Sequence, residues 1–335
     1  MTDPINAIIS SNYNVKSVLT MPSEAKGTSI ELIVPQDIAG LRLDQVLAKL
    51  LPQWSRSRLQ SWINEKHITV NGQTTTAKQK LWGNETIQII PPIASHEQAD
   101  RAEAIPLAIV YEDNDILVID KPVGLVVHPG NGNKQGTLLN ALLYHSSLFA
   151  NVPRAGIVHR LDKDTSGLLV IAKNIEAQTS LVRQLQQRTV KREYLAVVWG
   201  EVKQEGWIDA PIGRHPIHRT RMAITAKGKP ARTHYRILTP FKGYTLLQCN
   251  LDTGRTHQIR VHMHSIGHPL IGDSVYTDRT KQLPKEAGYF THRFHRQALH
   301  AYRLTLEHPS LQQPMSWESP IPKDIKELLS QLTQL

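Results

Sequence analysis

The segment Gly156 to Gly167 reads Gly-Ile-Val-His-Arg-Leu-Asp-Lys-Asp-Thr-Ser-Gly and sets Asp162 between Arg160 and Lys163, just before the apolar run Leu168 to Ala172. Unpaired charge beside a core is costly, so this cluster at the mouth of a buried strand points to a site rather than to packing. An aspartate of ordinary pKa, about 3.9, is ionised at neutral pH and can act as nucleophile or base without tuning. A dry pocket would return its proton, so a carboxylate working there requires a fixed cation within a few ångströms. Arginine fits that role, because it does not deprotonate and its fork holds a carboxylate bidentately. On spacing alone Asp164 is as good a candidate as Asp162, since the two lie on one face of an extended strand.

The cation can come from Leu251 to His264, which reads Leu-Asp-Thr-Gly-Arg-Thr-His-Gln-Ile-Arg-Val-His-Met-His. Thr256 is predicted to cap a helix running to about Gly267. Ile259, Met263 and Ile266 then share one side and His257, Arg260 and His264 another, placing Arg260 in a fixed polar row. A metal centre is the competing reading for so many histidines. His262 and His264 diverge on a helix, however, and Arg260 repels an ion, so no metal is expected. Lys191-Arg192-Glu193-Tyr194 puts a tyrosine beside two cations at the start of a strand, where its ring can stack a base or simply pack. The stretch Arg214 to Arg221 is denser in cations than an ordinary loop, and Arg214, Arg219 and Arg221 are candidates for phosphate contacts.

Elements must hold these groups in place. Thr137 caps a helix carrying Leu138, Leu139, Leu142 and Leu143, and Ile175 to Arg188 has Ala177, Leu181 and Leu185 at matching intervals. Strands are predicted at Leu107 to Tyr111, Ile116 to Ile119, 168–172, 193–199, 231–238 and 244–251. Helices scattered among many strands with short connections predict an α+β fold, a mixed, largely antiparallel sheet flanked by helices. Ahead of it, Leu43, Val46, Leu47, Leu50 and Leu51 recur at helical spacing. Ser55 can cap a second helix with Leu59, Trp62 and Ile63. Ile68 and Val70 run into the hairpin signal Asn71-Gly72, with Leu81, Ile87 and Ile89 in returning strands. The expected organisation is a disordered tail over 1–28, a small domain over 29–90, a linker over 91–106 and the large domain over 107–335.

Composition narrows the partner. The 335 residues carry 39 Lys+Arg against 29 Asp+Glu, a net charge of +10, which favours a polyanion, nucleic acid first. Arg42, Arg56 and Arg58 beside the two short helices offer the small domain a positive face for phosphates, unless they are ordinary solvated charges. The single Cys249 sits in an apolar run, so it is read as a core thiol with no intrachain disulfide, in a reducing compartment. No signal-peptide core and no membrane-length apolar run is present, so the protein is expected in the cytoplasm with no membrane partner.

Several of these segments also resemble a known family. Arg42-Leu43-Asp44, Ser55-Arg56-Ser57 and Ile68 to Gly72 are similar to the alpha-L RNA-binding module shared with a small-subunit ribosomal protein. Asp120-Lys121-Pro122-Val123-Gly124, His159 to Gly167, Lys191 to Tyr194 and Gly254 to Arg260, in that order, resemble the RluA/RluD family of RNA pseudouridine synthases. Val127 to Gly130 and Pro211 to Pro216 look most like the branch that modifies large-subunit ribosomal RNA. The resemblance implies a pseudouridine synthase fold and an isomerase that needs no cofactor, acting as a monomer on large-subunit ribosomal RNA or an assembling subunit. It selects Asp162 over Asp164, matches Tyr194 to the family's active-site tyrosine and Arg260 to the arginine that pairs with the aspartate. It matches Arg160 to a residue that enters the place the uridine leaves. Two rivals stay open on the residues themselves: a metal-free N-glycosylase acting on the same bond, and a non-catalytic RNA-binding assembly factor.

Overall fold

The structure, a computed structural model, describes residues 29–51, 56–90, 101–130, 133–277 and 294–334. The expected tail over 1–28, Ser55 and the first part of the expected linker lie outside them. The chain divides into two units, Met1–Ala99 and Asp100–Leu335.

The first unit comprises β1 (Ile30–Ile33), α1 (Leu43–Leu50), α2 (Arg56–Asn64), β2 (Ile68–Val70), β3 (Gln73–Thr74) and β4 (Thr86–Ile89), with the strands ordered β1-β4-β2-β3. Asn71 and Gly72 both take left-handed backbone, with φ of 50° and 76°, the conformation a two-residue hairpin turn demands. Leu43, Val46 and Leu47 of α1 and Leu59 and Ile63 of α2 bury against Ile68, Val70, Ile87 and Ile89. Leu81, expected in a returning strand, joins this core from irregular backbone instead.

The second unit runs β5 (Ile109–Glu112), β6 (Ile116–Lys121), α3 (Leu138–His145), β7 (Ser166–Ala172), α4 (Ile175–Gln187) and β8 (Lys191–Trp199). It continues through β9 (Gly206–Asp209), β10 (Ile212–Arg214), β11 (Met222–Ile224), β12 (Arg232–Phe241), β13 (Tyr244–Leu251) and α5 (Gln258–Ser265). Last come β14 (Leu299–Glu307), β15 (Pro314–Glu318) and α6 (Lys323–Thr333). Nine strands form one sheet in the order β5-β6-β7-β14-β8-β13-β12-β9, with β15 on β14, while β10 and β11 pair separately. The β7–β14 pairing is parallel, and the other pairings between named strands are antiparallel.

Alternation along the strands splits the core between two faces. Leu169, Ile171, Tyr194, Ala196 and Cys249 pack on one face with Leu138 and Leu142 of α3 and Ile259 and Met263 of α5. Leu168 and Val170 meet Ala177 and Leu181 of α4 on the other, where Leu195, Val197 and Tyr244 meet Ile325 and Leu328 of α6. Residues 101–106, expected to be linker, dock on this unit: Asn140 Nδ2 donates to the Arg101 carbonyl at 2.8 Å and Ile105 packs on the core. The parallel pair leaves no room for a side chain at one position. Gly167 has φ +114°, and a Cβ there would sit 2.2 Å from the Ala301 carbonyl oxygen, so glycine is required on both counts.

Candidate active site

Asp162 lies in the turn that enters β7, not on a strand. The Thr165 N–H donates to the Asp162 carbonyl at 3.1 Å, and the turn separates Asp162 from Asp164. The shared strand face expected of the two carboxylates therefore does not exist. Two buried cations fix this turn by its backbone. Lys121, at the end of β6, donates to the carbonyls of Pro122, Leu125 and Lys163 at 2.8, 3.0 and 3.0 Å. The Gly124 N–H donates to the same Lys163 carbonyl at 2.9 Å. Burial pushes the Lys121 ammonium down to about 8, against the pull of Asp164 and Asp162. From the other side Arg296, held by the Asp324 carboxylate, donates to the carbonyls of Asp164 and Leu299 at 3.2 Å each. The Asp-Lys-Pro-Val-Gly segment thus positions the turn without occupying the Asp162 carboxylate.

That carboxylate, 15 % exposed, accepts from Arg260 Nη1 at 3.0 Å. Arg260 is in turn fixed by Asp273, which is fully buried. Asp273 takes Nε at 2.6 Å and Nη2 at 2.9 Å and the N–H groups of Val275 and Tyr276 at 2.9 and 3.0 Å. The Tyr276 ring lies 5.1 Å from the Arg260 guanidinium carbon. Burial works against the Arg260 charge, but Asp273 and Asp162 together raise its pKa further above the ordinary arginine value. Spacing gave no signal for Asp273, a lone carboxylate in irregular backbone beyond α5.

The helix carrying Arg260 differs from expectation at both ends. Thr256 does not cap it. His257 is the N-cap, with left-handed backbone at φ 57°, and the Gln258 side-chain carbonyl folds back to accept the Arg255 N–H at 3.0 Å and the Thr253 hydroxyl at 2.7 Å. The helix stops at Ser265, short of Gly267, and Ile266 is exposed while Ile259 and Met263 are buried. The predicted polar row is broken, since Arg260 is buried and His264 exposed. His262 is a satisfied core residue on the Thr233 hydroxyl and the Ala210 carbonyl. His257 reaches within 3.8 Å of Asp162 Oδ1 and meets the Tyr276 hydroxyl at 2.8 Å. Burial lowers its pKa, outweighing Asp162, so the ring is neutral at neutral pH.

Asp162, Tyr194 and Arg260 line one cleft of about 630 Å³, together with Arg154, Arg160, Arg188, Arg192 and Arg255. Tyr194 is 5 % exposed, its hydroxyl has no hydrogen-bond partner among the described residues, and burial raises its pKa, so the phenol stays protonated. Arg160 is exposed at the rim. His159 is a strand pin: its Nε2 accepts the Val170 N–H at 3.2 Å, and burial pushes it down to about 3.

The remaining predicted contacts fall outside the cleft. Arg214, Arg219 and Arg221 are exposed on the β10–β11 hairpin, which is tied to the site through the Met222 N–H on the Tyr276 hydroxyl at 2.8 Å. In the first unit, Arg42 and Arg56 both bond the fully buried Asp44, yet each remains about two-fifths exposed or more. Asp44 is held well below the usual carboxylate range by the Arg42 hydrogen bond, which outweighs burial, with help from Arg56 and Gln60. Arg58 is in α2, and its side chain lies outside the described residues.

A carboxylate aimed into an arginine-rimmed cleft by a buried guanidinium is the equipment of an enzyme that acts on a polyanion. Comparison with known proteins identifies which. Residues 115–265 match the family model described as RNA pseudouridylate synthase, and residues 41–87 match the S4 domain. The chain is 59 % identical over 325 residues to the ribosomal large subunit pseudouridine synthase D of Nitrosomonas europaea, covering 97 % of this chain and 94 % of that one. It is 51 % identical to the protein of that name from Pseudomonas aeruginosa, covering 90 % and 95 %. Human RNA pseudouridylate synthase domain containing 4 has the same fold, with a TM-score of 0.54 at 24 % identity over 68 % of this chain and 93 % of that one. The chain belongs to the RNA pseudouridine synthase family, in its D-type branch, and is an isomerase of RNA uridine.

Proposed function

We propose that this protein isomerises uridines of large-subunit ribosomal RNA to pseudouridine, with Asp162 as the acting carboxylate. The observation that carries the reading is the Arg260 bond to Asp162 inside the arginine-rimmed cleft, and the names of the relatives supply the RNA class. In the reaction the N1 to C1′ bond breaks, the uracil turns and C5 joins C1′. The C5 proton leaves and N1 gains one, so no group or electron is added and no cofactor enters. The target bond is inaccessible in stacked RNA, so the nucleotide is extruded at a cost of a few kcal/mol, and Arg160 at the rim fills its place. Tyr194, a neutral phenol, supplies a ring face for the uracil. Arg260 stabilises the carboxylate through the chemical step, and Asp273 orients Arg260.

The S4 domain, with Arg42, Arg56 and Arg58, docks the RNA, and Arg214, Arg219 and Arg221 extend the contact. The protein works as a monomer in the cytoplasm. Among the described residues no helix is long and apolar enough to cross a membrane.

An Asp162→Asn variant tests the reading. It should bind ribosomal RNA as the wild type does and release no tritium from RNA carrying 5-tritiated uridine. An abasic product from the wild type would identify an N-glycosylase, and undiminished pseudouridine in the variant would overturn the role of Asp162.

A further inference from the structure

Arg192 is the exception among the buried cations of this protein. It is 7 % exposed, yet among the described residues no carboxylate lies within ion-pair distance. Lys121 satisfies three carbonyls, Arg260 two aspartates and Arg296 an aspartate and three carbonyls. The Arg192 guanidinium has one long bond, Nη2 to the Leu251 carbonyl at 3.4 Å, and its Nε is buried with no partner. Burying the Nε donor without a partner, on a guanidinium with one long bond and no carboxylate, is expensive and calls for an explanation, and the cleft beside it supplies one in the form of a ligand.

Position and space agree. Arg192 is two residues before Tyr194 on β8, hence on the same face, and both line the cleft with Asp162. A Cβ at Gly254 would lie 2.7 Å from Arg192 Nη1. Gly254 does not have the positive φ that would itself demand glycine, so the room it leaves serves the guanidinium.

We infer that Arg192 is a phosphate-binding residue of the cleft, taking a backbone phosphodiester oxygen next to the extruded uridine. The free donors of a planar fork match a phosphate, and the anion would supply the charge partner that the chain withholds. This rests on the proposed function for the identity of the RNA but concerns binding alone.

The test uses the full-length protein and a synthetic ribosomal RNA fragment that the wild type binds, with single phosphates replaced by neutral methylphosphonates. Arg192→Met should raise Kd about tenfold, the low end for a charge-assisted hydrogen bond, and reduce the slope of log Kd against log salt by about 0.7. One methylphosphonate beside the uridine should weaken wild-type binding similarly and have no further effect on the variant. Gly254→Ala, which displaces only the guanidinium, should shift Kd and slope in the same direction and guards against a poorly folded Arg192→Met.

An unchanged salt slope in both variants, or a methylphosphonate penalty identical in wild type and Arg192→Met at every linkage, would overturn the inference. So would weaker binding with no change in slope, the mark of a contact to the uncharged base. Absence of pseudouridine from the wild-type reaction would instead fail the functional reading, while binding to the same fragment still reports on Arg192.

Discussion

Replacing Asp273 by Asn separates the orientation of Arg260 from the carboxylate it serves. Asp273 accepts four hydrogen bonds, two from the guanidinium and two from backbone N–H groups, at 2.6–3.0 Å. Asparagine keeps the shape but has one acceptor oxygen, so its amide NH₂ must face donors on one side. Breaking one partner of a buried charged pair costs roughly 3–5 kcal/mol. Asp162 still pairs with Arg260, which sets the expectation at about 3 kcal/mol, or a Tm lower by roughly 6–12 °C for a unit of this size. A misplacement of about 1 Å in a catalytic array costs about a hundredfold, so kcat should fall by that order while RNA affinity is retained. Tritium release under single-turnover conditions measures the first and filter binding the second. A kcat within about threefold of wild type would refute the claim that Asp273 sets the geometry of the site. The pH profile adds a check. Burial raises the Asp273 pKa, but the Arg260 bonds and the backbone N–H groups outweigh it and leave the pKa below its ordinary value. With the folded pKa below the unfolded one, the carboxylate stabilises fully above about pH 4 and loses this effect as pH falls through the folded value. Asp273→Asn should therefore unfold with a shallower dependence on acid.

Three further outcomes are expected. Gly167→Ala drives a methyl group into the Ala301 carbonyl and should yield little soluble protein; a soluble variant melting like the wild type would contradict the close β7–β14 pairing. The depressed pKa of Asp44 makes the first unit lose stability as pH falls below the ordinary carboxylate range. Asp44→Asn should remove that dependence in acid-unfolding curves followed by hydrogen exchange of α1 and β4, and an unchanged acid limb would refute it. RNA affinity of the wild type should fall linearly with salt on logarithmic axes, by about 0.7 per phosphate contact, and salt-insensitive binding would contradict the arginine-lined surface.

Local patterns carried much of this architecture. The Thr137 cap of α3 is present, with Asn140 completing a capping box, and the helix from Ile175 ends with Arg188 in left-handed backbone. β13 spans Tyr244–Leu251 as its apolar run implies, because alternation and caps are nearest-neighbour signals. Cys249 is a buried free thiol, as its apolar neighbours suggest. The site was legible only in parts. Asp162 and Arg260 stood out by type, but Asp273 and Tyr276 reach Arg260 from a coil segment whose approach depends on tertiary packing. The start of α5 lies one residue beyond the Thr256 signal because His257, in left-handed backbone, takes the N-cap position without any side-chain cap, while the Gln258 side chain ties down the turn ahead of it through the Arg255 N–H and the Thr253 hydroxyl. Nor does any local pattern reveal that Arg42 and Arg56 converge on Asp44 across two helices.

The place of β14 has a consequence for how the protein matures. It is threaded between β7, which follows the Asp162 turn, and β8, which bears Tyr194, although it comes after β13 and α5 in the chain. In a nascent polypeptide the Asp162 turn and Tyr194 therefore have no strand joining them until that late strand arrives between β7 and β8. Such long-range closure is slow, and it leaves a partly synthesised chain without a working cleft.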